Sequence, residues 1–556
     1  MRARSVVAAF GAAAMLLTAC GGNDSGPDAS GPRSADPSAE PSAEPSAEPT
    51  RGGTLVAAID SDPGQLNPAI TTSGATHTAS ELVFNGLVEL TPELEPVPEL
   101  AESWEVLEDG ALYRFDLRDG VTWHDGRPFT SADVKFTYEK MLLPLHSRTK
   151  ASVGAALASI TTPDPDTVEF RFKQPYAPLL LQLDVTEGPI LPMHLYEGTD
   201  VMKNPANAKP VGTGPFKLTS YAPGSELRFA ANEDYFKPDL PYLDEVVMRI
   251  VPDKGNQVVS LESGEVDWLF GVSGPDLKRL KESGNFGFLE TAVNPGGSNC
   301  IMTVSFNLER PMFQDVRLRR ALGHALDREQ FLERVLFGQG RVAEAPISSG
   351  IPFAYADDLD LPEFDRAEAE KLLDEAGWKR AGTATRTSSG VTGVPDGTPL
   401  AFDFVAFPTF SSYGQLLRAQ LAEVGAEVTL VPLEPPVFAD TVFKARNFDT
   451  NIISYCNGAD PEIGVKRMFT TANIGPVPFS NSSAYRNPEV DRLFNEARTT
   501  VETGARTEIY KTLQEQLVED LPYLWIVETE SSRVFADTCQ GFGPSGHFAE
   551  TAFCSS

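Results

Sequence analysis

Four cysteines of this chain, Cys300, Cys456, Cys539 and Cys554, carry thiols that can form disulfides or bind a metal ion. An even number is typical of two disulfides in an exported protein, and three pairings are open. Cys539 and Cys554 lie close in sequence, so a disulfide between them is favoured. Cys300 would then pair with Cys456. No Cys-x-x-Cys spacing occurs and the six histidines are scattered, so a metal site is not expected.

The motifs of secreted hydrolases are not found in this sequence. A Gly-x-Ser-x-Gly nucleophile elbow is missing, because Gly271-Val-Ser-Gly274 breaks the spacing, and no His-Glu-x-x-His occurs. The 78 acidic residues form many carboxylate pairs, so a secreted hydrolase such as a carboxylate-pair glycosidase stays open as the alternative. The leading expectation is a protein that is not an enzyme and has no cofactor.

Composition excludes two classes of partner. The chain has 556 residues and a formal net charge of −32, from 46 basic and 78 acidic side chains. Nucleic acid and an anionic membrane face would repel that charge, so neither is expected as a partner. Hydrophobic residues make up 41% of the chain, which is typical of a globular protein long enough for more than one core.

The first 51 residues predict a leader, an anchor and a linker. Arg2 and Arg4 precede an apolar run at residues 6–17 that has the length of a signal-peptide core and is too short to span a bilayer. Leu17-Thr-Ala-Cys20 then resembles a lipobox, so we expect residues 1–19 to be a signal peptide and Cys20 to be lipidated. Residues 20–51, with Pro-Ser-Ala-Glu repeated three times, indicate an extended linker.

Strand and helix patterns alternate along the rest of the chain. Residues 54–59 predict an opening strand. The pattern Ser/Thr-x-x-Asp/Glu at residues 78–81 and 130–133 predicts two helix starts. Gly212 and Gly214 are not followed by the Lys-Ser/Thr of a phosphate-binding loop, so we assign them to backbone geometry. These patterns favour an α/β fold with several sheets.

Four segments, in a fixed order, resemble the landmarks of one family. They are Leu100-Ala-Glu-Ser-Trp104 continuing through Val121-Thr-Trp-His-Asp-Gly126, then Gly212-Thr-Gly-Pro-Phe216, Phe313-Gln-Asp-Val-Arg317 continuing to Arg328, and Asp460-Pro461 after Asn451-Ile-Ile-Ser-Tyr455. With them the chain resembles the family 5 solute-binding proteins of ABC importers, the group that binds dipeptides, oligopeptides and nickel chelates.

The resemblance implies a fold of the periplasmic-binding-protein-like type II (Venus-flytrap) class with three lobes. The implied domains are residues 52–85, 206–298 and 531–556 for a discontinuous domain I, 86–205 for domain II and 299–530 for domain III. The chain would cross between domains I and III near Asn299 and Ser531. Two crossings form a hinge, and closure of lobes I and III around a solute would remove that solute from water.

A first strip of residues is implied to line the cleft. Dipeptide-binding relatives have a Thr-Ser-Gly loop there, and Thr72, Ser73 and Gly74, with His77 close behind, correspond to it. Hydroxyls and free backbone N–H groups at a helix start suit a hydrogen-bond acceptor or an anion. A solvated capping loop is the alternative.

The second strip surrounds Asp460. Peptide-binding relatives have an Asp where this chain has Asn457 and an Arg where it has Ser411, so the partners of a peptide's ammonium and carboxylate are both replaced. Arg467 follows the turn and would offer positive charge to an anionic solute, the alternative being an exposed basic surface. The remaining cleft candidates are the aromatic residues Phe410, Tyr413 and Tyr455.

The resemblance also bears on the disulfides. Cys300 and Cys456 match, to within a residue, positions that oligopeptide-binding relatives join by a disulfide. This favours Cys300–Cys456 and Cys539–Cys554 among the open pairings.

The implied function is the binding component of an ABC importer. Such a protein captures a peptide-like or other small polar solute and delivers it to permease subunits that work with their ATPases. We expect a monomer on the outer face of the cytoplasmic membrane, held there by its lipid anchor only. A non-transport receptor with this fold, and a peptide, sugar, opine-like compound or metal chelate as the solute, all stay open.

Overall fold

Three large sheets and a set of surrounding helices carry the fold. The computed structural model describes residues 49–272, 274–291, 299–543 and 548–555. The predicted signal peptide, Cys20 and nearly all of the predicted linker lie outside these described residues. No helix in the described part of the chain is long and apolar enough to cross a lipid bilayer.

The largest sheet of the described residues has seven strands that come from both ends of the chain. Their order across the sheet is Phe286–Thr291, Ser531–Ala536, Trp268–Val272, Thr54–Ile59, Glu245–Ile250, Glu226–Ala231 and Phe216–Ala222. The opening strand predicted at residues 54–59 is confirmed. It is central in the sheet and parallel to both of its neighbours. This position explains why most of its side chains are buried.

A second sheet has six strands in the described chain. Their order is Arg341–Val342, Tyr523–Thr529, Asn299–Phe306, Thr450–Asn457, Ala401–Ala406 and Glu427–Pro432. Tyr523–Thr529 is buried along nearly its whole length, as expected for a strand covered on both faces. This strand ends at Thr529 and the next begins at Ser531 in the seven-stranded sheet, so the chain passes directly from one sheet to the other.

A third sheet of four antiparallel strands completes the large sheets of the described residues. Its order is Ala101–Leu107, Leu112–Leu117, Thr167–Phe172 and Leu157–Asp164. The helix Ser131–Thr137 packs against this sheet and begins where the sequence predicted. Thr130 and Asp133 form a reciprocal capping box, in which the Asp133 carboxylate accepts from the Thr130 backbone N–H at 3.0 Å.

Helices pack against the faces of the two larger sheets. Ser411–Glu423 lies against Glu427–Pro432, and Lys254–Glu262 lies against Trp268–Val272. The longer helices are Lys254–Glu262, Gly274–Ser283, Val316–His324, Arg366–Glu375, Ser411–Glu423, Pro488–Thr499 and Thr503–Asp520. Shorter ones include Gly74–Ser80, Ser147–Ala151, Val153–Ala156, Met193–Tyr196, Arg328–Arg334, Pro435–Ala439 and Val465–Phe469.

Both disulfides favoured by the sequence are present. Cys300 and Cys456 face each other on the paired strands Asn299–Phe306 and Thr450–Asn457. Cys539 and Cys554 join the short strands Cys539–Gln540 and Phe553–Cys554 at the C-terminus. The first bridge therefore fixes the end of the six-stranded sheet that carries Asn457.

The helix start predicted at Thr78 is wrong. The helix runs over Gly74–Ser80, so Thr78 lies inside it. Ser73 occupies the N-cap position, where its carbonyl accepts from the His77 N–H at 3.1 Å and its own N–H donates to Thr71 Oγ1 at 3.1 Å. Hydroxyl residues stand before both possible starts, and the helix begins at the earlier one.

Gly212 and Gly214 serve backbone geometry, as the sequence predicted. A Cβ atom at Gly212 would lie 1.8 Å from the carbonyl oxygen of Val83, and one at Gly214 would lie 2.6 Å from the carbonyl carbon of the same residue. The Gly214 N–H donates to Val83 O at 2.8 Å. Only glycine permits this close approach of two backbones.

Replacing Gly212 with alanine should therefore lower the free energy of unfolding by about 2 kcal/mol or more, because the two backbone segments would have to separate. Urea denaturation measures the change. Gly475→Ala is the matched control, since a Cβ there meets no atom within 4 Å, and its effect should stay within about 0.5 kcal/mol. Equal losses in the two variants would contradict the assignment.

A buried charge network joins three separate parts of the chain. Lys237 Nζ lies 2.8 Å from Glu99 Oε2 and 3.0 Å from Glu89 Oε2. The same Nζ lies 3.1 Å from Oε1 of Glu550 in the C-terminal segment. Burial raises the pKa of Glu99 to about 7, although Lys237 acts to lower it. The network thus contains more carboxyl groups than the single ammonium can neutralise.

Because of this network, the stability of the fold should fall as the pH rises from about 4.5 to about 7. The ordinary pKa of Glu99 is 4.5, so in this window the folded state holds a proton that the unfolded chain has released. The expected loss is up to about 3 kcal/mol at about 1.4 kcal/mol per pKa unit. Urea denaturation across this range should show a flatter profile for Glu99→Gln, and an unchanged slope would contradict the assignment.

Candidate functional site

Charged and imidazole side chains from distant parts of the sequence lie near one another, the imidazoles and the carboxyl group buried and the two guanidinium groups half-buried. We call His77, His146, Arg148, Glu187 and Arg467 the cleft cluster. Arg148 forms an ion pair of 3.1 Å with Oε1 of Glu187, and the rings of His77 and His146 lie 6.2 Å apart. Arg467 acts electrostatically on both Arg148 and Glu187. The cluster is therefore one electrostatic unit.

Three helices that lie far apart in the sequence carry residues of the cleft cluster. His77 lies on the helix Gly74–Ser80, and Arg148 lies on the helix Ser147–Ala151. Arg467 lies on the helix Val465–Phe469, soon after a strand of the six-stranded sheet ends at Asn457. The cluster thus spans the junction between these parts of the fold.

Two imidazoles of the cluster are neutral at physiological pH. Burial lowers the pKa of His77 to about 4 and that of His146 to about 3. Nε2–H of His77 donates to the carbonyl of Thr71 at 3.0 Å, which leaves Nδ1 as an acceptor. Among the described residues this Nδ1 and Nε2 of His146 have no hydrogen-bond partner. Buried polar atoms of this kind are rare unless something else binds them.

Both guanidinium groups of the cluster also have an unused donor. Arg148 Nε and Arg467 Nε are buried and have no hydrogen-bond partner in the described part of the chain. A terminal nitrogen of Arg467 donates to Cys456 O at 3.3 Å. Burial raises the pKa of Glu187, and both arginines act to lower it. The arrangement can bind a polar group that accepts hydrogen bonds.

The loop predicted to line the cleft is exposed. Thr72, Ser73 and Gly74 all face solvent, directly before the helix that carries His77. His77 itself is only 5% exposed and belongs to the cleft cluster. The structure therefore brings the loop close to the cluster through the first turn of this helix.

The strip around Asp460 is buried, and two of its residues bond within the protein. The Asp460 carboxylate pairs with Arg506 at 2.7 Å and is completely buried. Tyr455 donates its hydroxyl to Ser480 O at 2.8 Å. Asn457 is 2% exposed, and its Oδ1 has no hydrogen-bond partner among the described residues. Asn457 is therefore the residue of this strip with an unused acceptor.

Phe410, Ser411 and Tyr413 lie elsewhere, at the start of the helix Ser411–Glu423. Ser411 and half-buried Phe410 stand at its first turn, and Tyr413 is buried against Phe331, with ring centroids 6.1 Å apart. Phe410 contacts Phe407 and Tyr413. Within the described residues, no hydrogen bond or ring contact links them to the cleft cluster.

His146, Arg148 and Glu187 were missed by the sequence analysis. Arg148 stands in a short polar helix, where a basic residue is typical of a solvated surface. Glu187 lies in a turn, and its side chain is only 4% exposed. A buried charge is seldom unpaired, but sequence gives no sign of which charges are buried. Only the tertiary packing of separate elements brings these residues to His77 and Arg467.

Comparison with known proteins identifies the class. Residues 95–476 match the model of the bacterial extracellular solute-binding proteins, family 5 Middle. The oligopeptide-binding protein AppA of Bacillus subtilis is 27% identical over 506 residues, covering 88% of this chain and 89% of AppA. Heme-binding protein A of Haemophilus influenzae is 27% identical over 532 residues, covering 89% and 91%.

Solved structures agree with the sequence comparison. The structure of Bacillus subtilis AppA in complex with a nonapeptide has a TM-score of 0.71 at 25% identity, covering 92% of this chain and all of that chain. NikA from Brucella suis in complex with Fe(III)-EDTA has the same fold, with a TM-score of 0.78 at 24% identity, covering 90% of this chain and all of NikA.

This chain belongs to family 5 of the bacterial extracellular solute-binding proteins. Its fold is the mixed α/β, type II periplasmic-binding-protein class that the sequence predicted.

Proposed function

We propose that this protein is the extracytoplasmic solute-binding lipoprotein of an ABC importer. It captures a peptide-like or other small polar solute between lobes I and III and delivers it to permease subunits with their ATPases. The observation that carries this proposal is the cleft cluster, in which buried polar atoms from separate parts of the fold have no hydrogen-bond partner among the residues that the structure describes. A solute seated there would supply the missing hydrogen bonds.

Closure depends on the division into three lobes. Domain I comprises residues 52–85, 206–298 and 531–556, domain II comprises 86–205, and domain III comprises 299–530. What supports this division is the sheet composition, because each large sheet takes its strands from one of these domains. Domain II borders the site as well, since it contributes Arg148 and Glu187 of the cleft cluster.

The residues proposed to contact the solute are those with free polar groups near the cleft. They are Thr72, Ser73, Gly74, His77, Asn457 and Arg467, with His146 and Arg148 added by the structure. Asp460 shapes the turn behind them through its pair with Arg506. A larger solute would also contact the other predicted residues, Phe410, Ser411, Tyr413 and Tyr455.

The anchor is Cys20, released at the mature N-terminus when residues 1–19 are removed. A diacylated cysteine would hold the protein at the outer face of the cytoplasmic membrane, since each buried CH₂ contributes about 0.8 kcal/mol. Labelled palmitate should attach to the chain and not to Cys20→Ser. Equal labelling of the two would contradict the anchor while leaving solute binding intact.

Thermal unfolding of the purified protein tests solute binding. The probes are a tryptic peptide mixture, hemin and Ni(II)-histidine, because the relatives are named for oligopeptide, heme and nickel binding. One probe class should raise the melting temperature without being converted, since a ligand at 100 times its Kd stabilises by about 2.7 kcal/mol. Turnover of that probe would favour the secreted hydrolase, and no shift with any class would contradict the proposal.

A further inference from the structure

Every carboxylate near the cleft cluster already has a protein partner. Glu187 pairs with Arg148, and Oε1 of Glu81 accepts the hydroxyl of Thr186 at 2.8 Å. Oδ1 of Asp184 accepts the Glu187 N–H at 3.2 Å. Among the described residues, Oε1 of Glu187 is buried and makes no hydrogen bond, but its charge is offset by the ion pair with Arg148.

Arg148 and Arg467 each have a hydrogen-bond donor that the described residues leave unused. Arg148 Nε and Arg467 Nε are both buried and have no acceptor among the described residues. Burial lowers the pKa of Arg467, and Arg148 acts as a like charge in the same direction. Arg148 and Arg467 are half-buried, and a buried N–H without an acceptor is unfavourable, so each Nε favours a bound acceptor. An anion is the acceptor that suits two neighbouring guanidinium groups best.

We propose, on the basis of the proposed function, that Arg148 and Arg467 jointly bind an anionic group of the solute. Arg148 belongs to the proposed domain II and Arg467 to the proposed domain III, so an anion bound by both would join these two domains. This site is separate from Ser411, the position where dipeptide-binding relatives have their arginine for the carboxylate. A carboxylate is the expected anion, and a phosphate or sulfonate shares its chemistry.

The neutral neighbours of the two arginines fit the rest of such a solute. His77 Nδ1 and Asn457 Oδ1 are acceptors without partners, which suit N–H or O–H groups. Neither carries a charge that would bind an ammonium as strongly as an aspartate does. The solute class is thus a small polar anion that carries neutral donors, rather than a zwitterion held at both ends by charge.

The experiment measures the small molecules that the protein retains through purification. The full-length protein is denatured, and the released fraction is weighed by mass spectrometry before and after methyl esterification. The retained solute should gain 14 Da per carboxyl group. An exact mass that contains phosphorus or sulfur instead would assign the anion to a phosphate or a sulfonate.

Arg148→Gln and Arg467→Gln should each retain at least about tenfold less solute than the wild type, because each loses a charge-assisted hydrogen bond. Lys150→Gln, on the same helix as Arg148, and Arg418→Gln, on the helix Ser411–Glu423 away from the cleft cluster, each remove one exposed charge and should retain as much as the wild type. Arg467→Lys should restore part of the retention. Melting curves identify any variant that fails to fold. If one arginine variant does not fold, the variant of the other arginine tests the proposal.

A neutral retained solute, or equal retention in all folded variants, would overturn the inference while leaving solute binding supported. A protein that retains nothing and shows no thermal shift with any probe would instead contradict the proposed function itself.

Discussion

Replacing Lys237 with methionine should lower the free energy of unfolding by about 3–5 kcal/mol at pH 7. The ammonium group lies within 3.1 Å of three carboxyl groups, and the side chains of Glu99 and Glu550 are 1% and 6% exposed. Removing one partner of a buried ion pair leaves a desolvated charge of the opposite sign without compensation. Chemical denaturation measures the loss.

The size of this loss should depend on pH. Protonation of Glu99 and Glu550, whose pKa values burial raises, relieves the repulsion, so the variant should recover stability towards pH 5. Lys203→Met is the matched control, because Lys203 forms only an exposed pair with Asp200, and its loss should be below about 1 kcal/mol. Similar losses in both variants, at every pH, would show that the network contributes little.

Replacing Arg506 with methionine should have an effect of similar size, about 3–5 kcal/mol. Arg506 and Asp460 are 5% and 0% exposed, with 2.7 Å between their charged atoms. Arg506 also donates to Ala497 O at 3.0 Å and lies over the ring of Phe353, 5.0 Å from its centroid. The variant would leave the Asp460 carboxylate buried without a cation, directly behind Asn457.

A double variant separates the ion pair from simple packing. Arg506→Met combined with Asp460→Leu removes both charges, so it should be more stable than Arg506→Met alone. Arg492→Met is the control, because Arg492 forms ion pairs only with exposed Glu489 and Glu496. A double variant that loses the sum of the two single losses would contradict the importance of the pair.

Local signals in the sequence were sufficient for several elements. The strand at residues 54–59 and the capping box at Thr130 depend on neighbours within a few residues, and both are confirmed. The helix start predicted at Thr78 is wrong because local pattern was the only guide. Two hydroxyl-rich candidate starts lie close together there, and local pattern does not rank them. The choice depends on contacts such as the bond from Thr76 Oγ1 to Pro63 O.

The candidate site depends on information that no short segment contains. Asp460 and Arg506 pair across a long stretch of sequence, and a motif alone makes Asp460 look available to a ligand. In the sequence Arg148 looks like a surface residue, because it stands in a short polar helix. Family resemblance located the cleft in general terms, and tertiary structure selected the side chains with unused polar groups.

The most direct test of the account is small-angle scattering before and after the solute is removed. The purified protein is unfolded, freed of small molecules by dialysis and refolded, and the released fraction is later added back. The account predicts a larger radius of gyration for the stripped protein and a return to the original value on add-back, because the lobes close over the solute. Superimposable scattering curves for the three samples would contradict it.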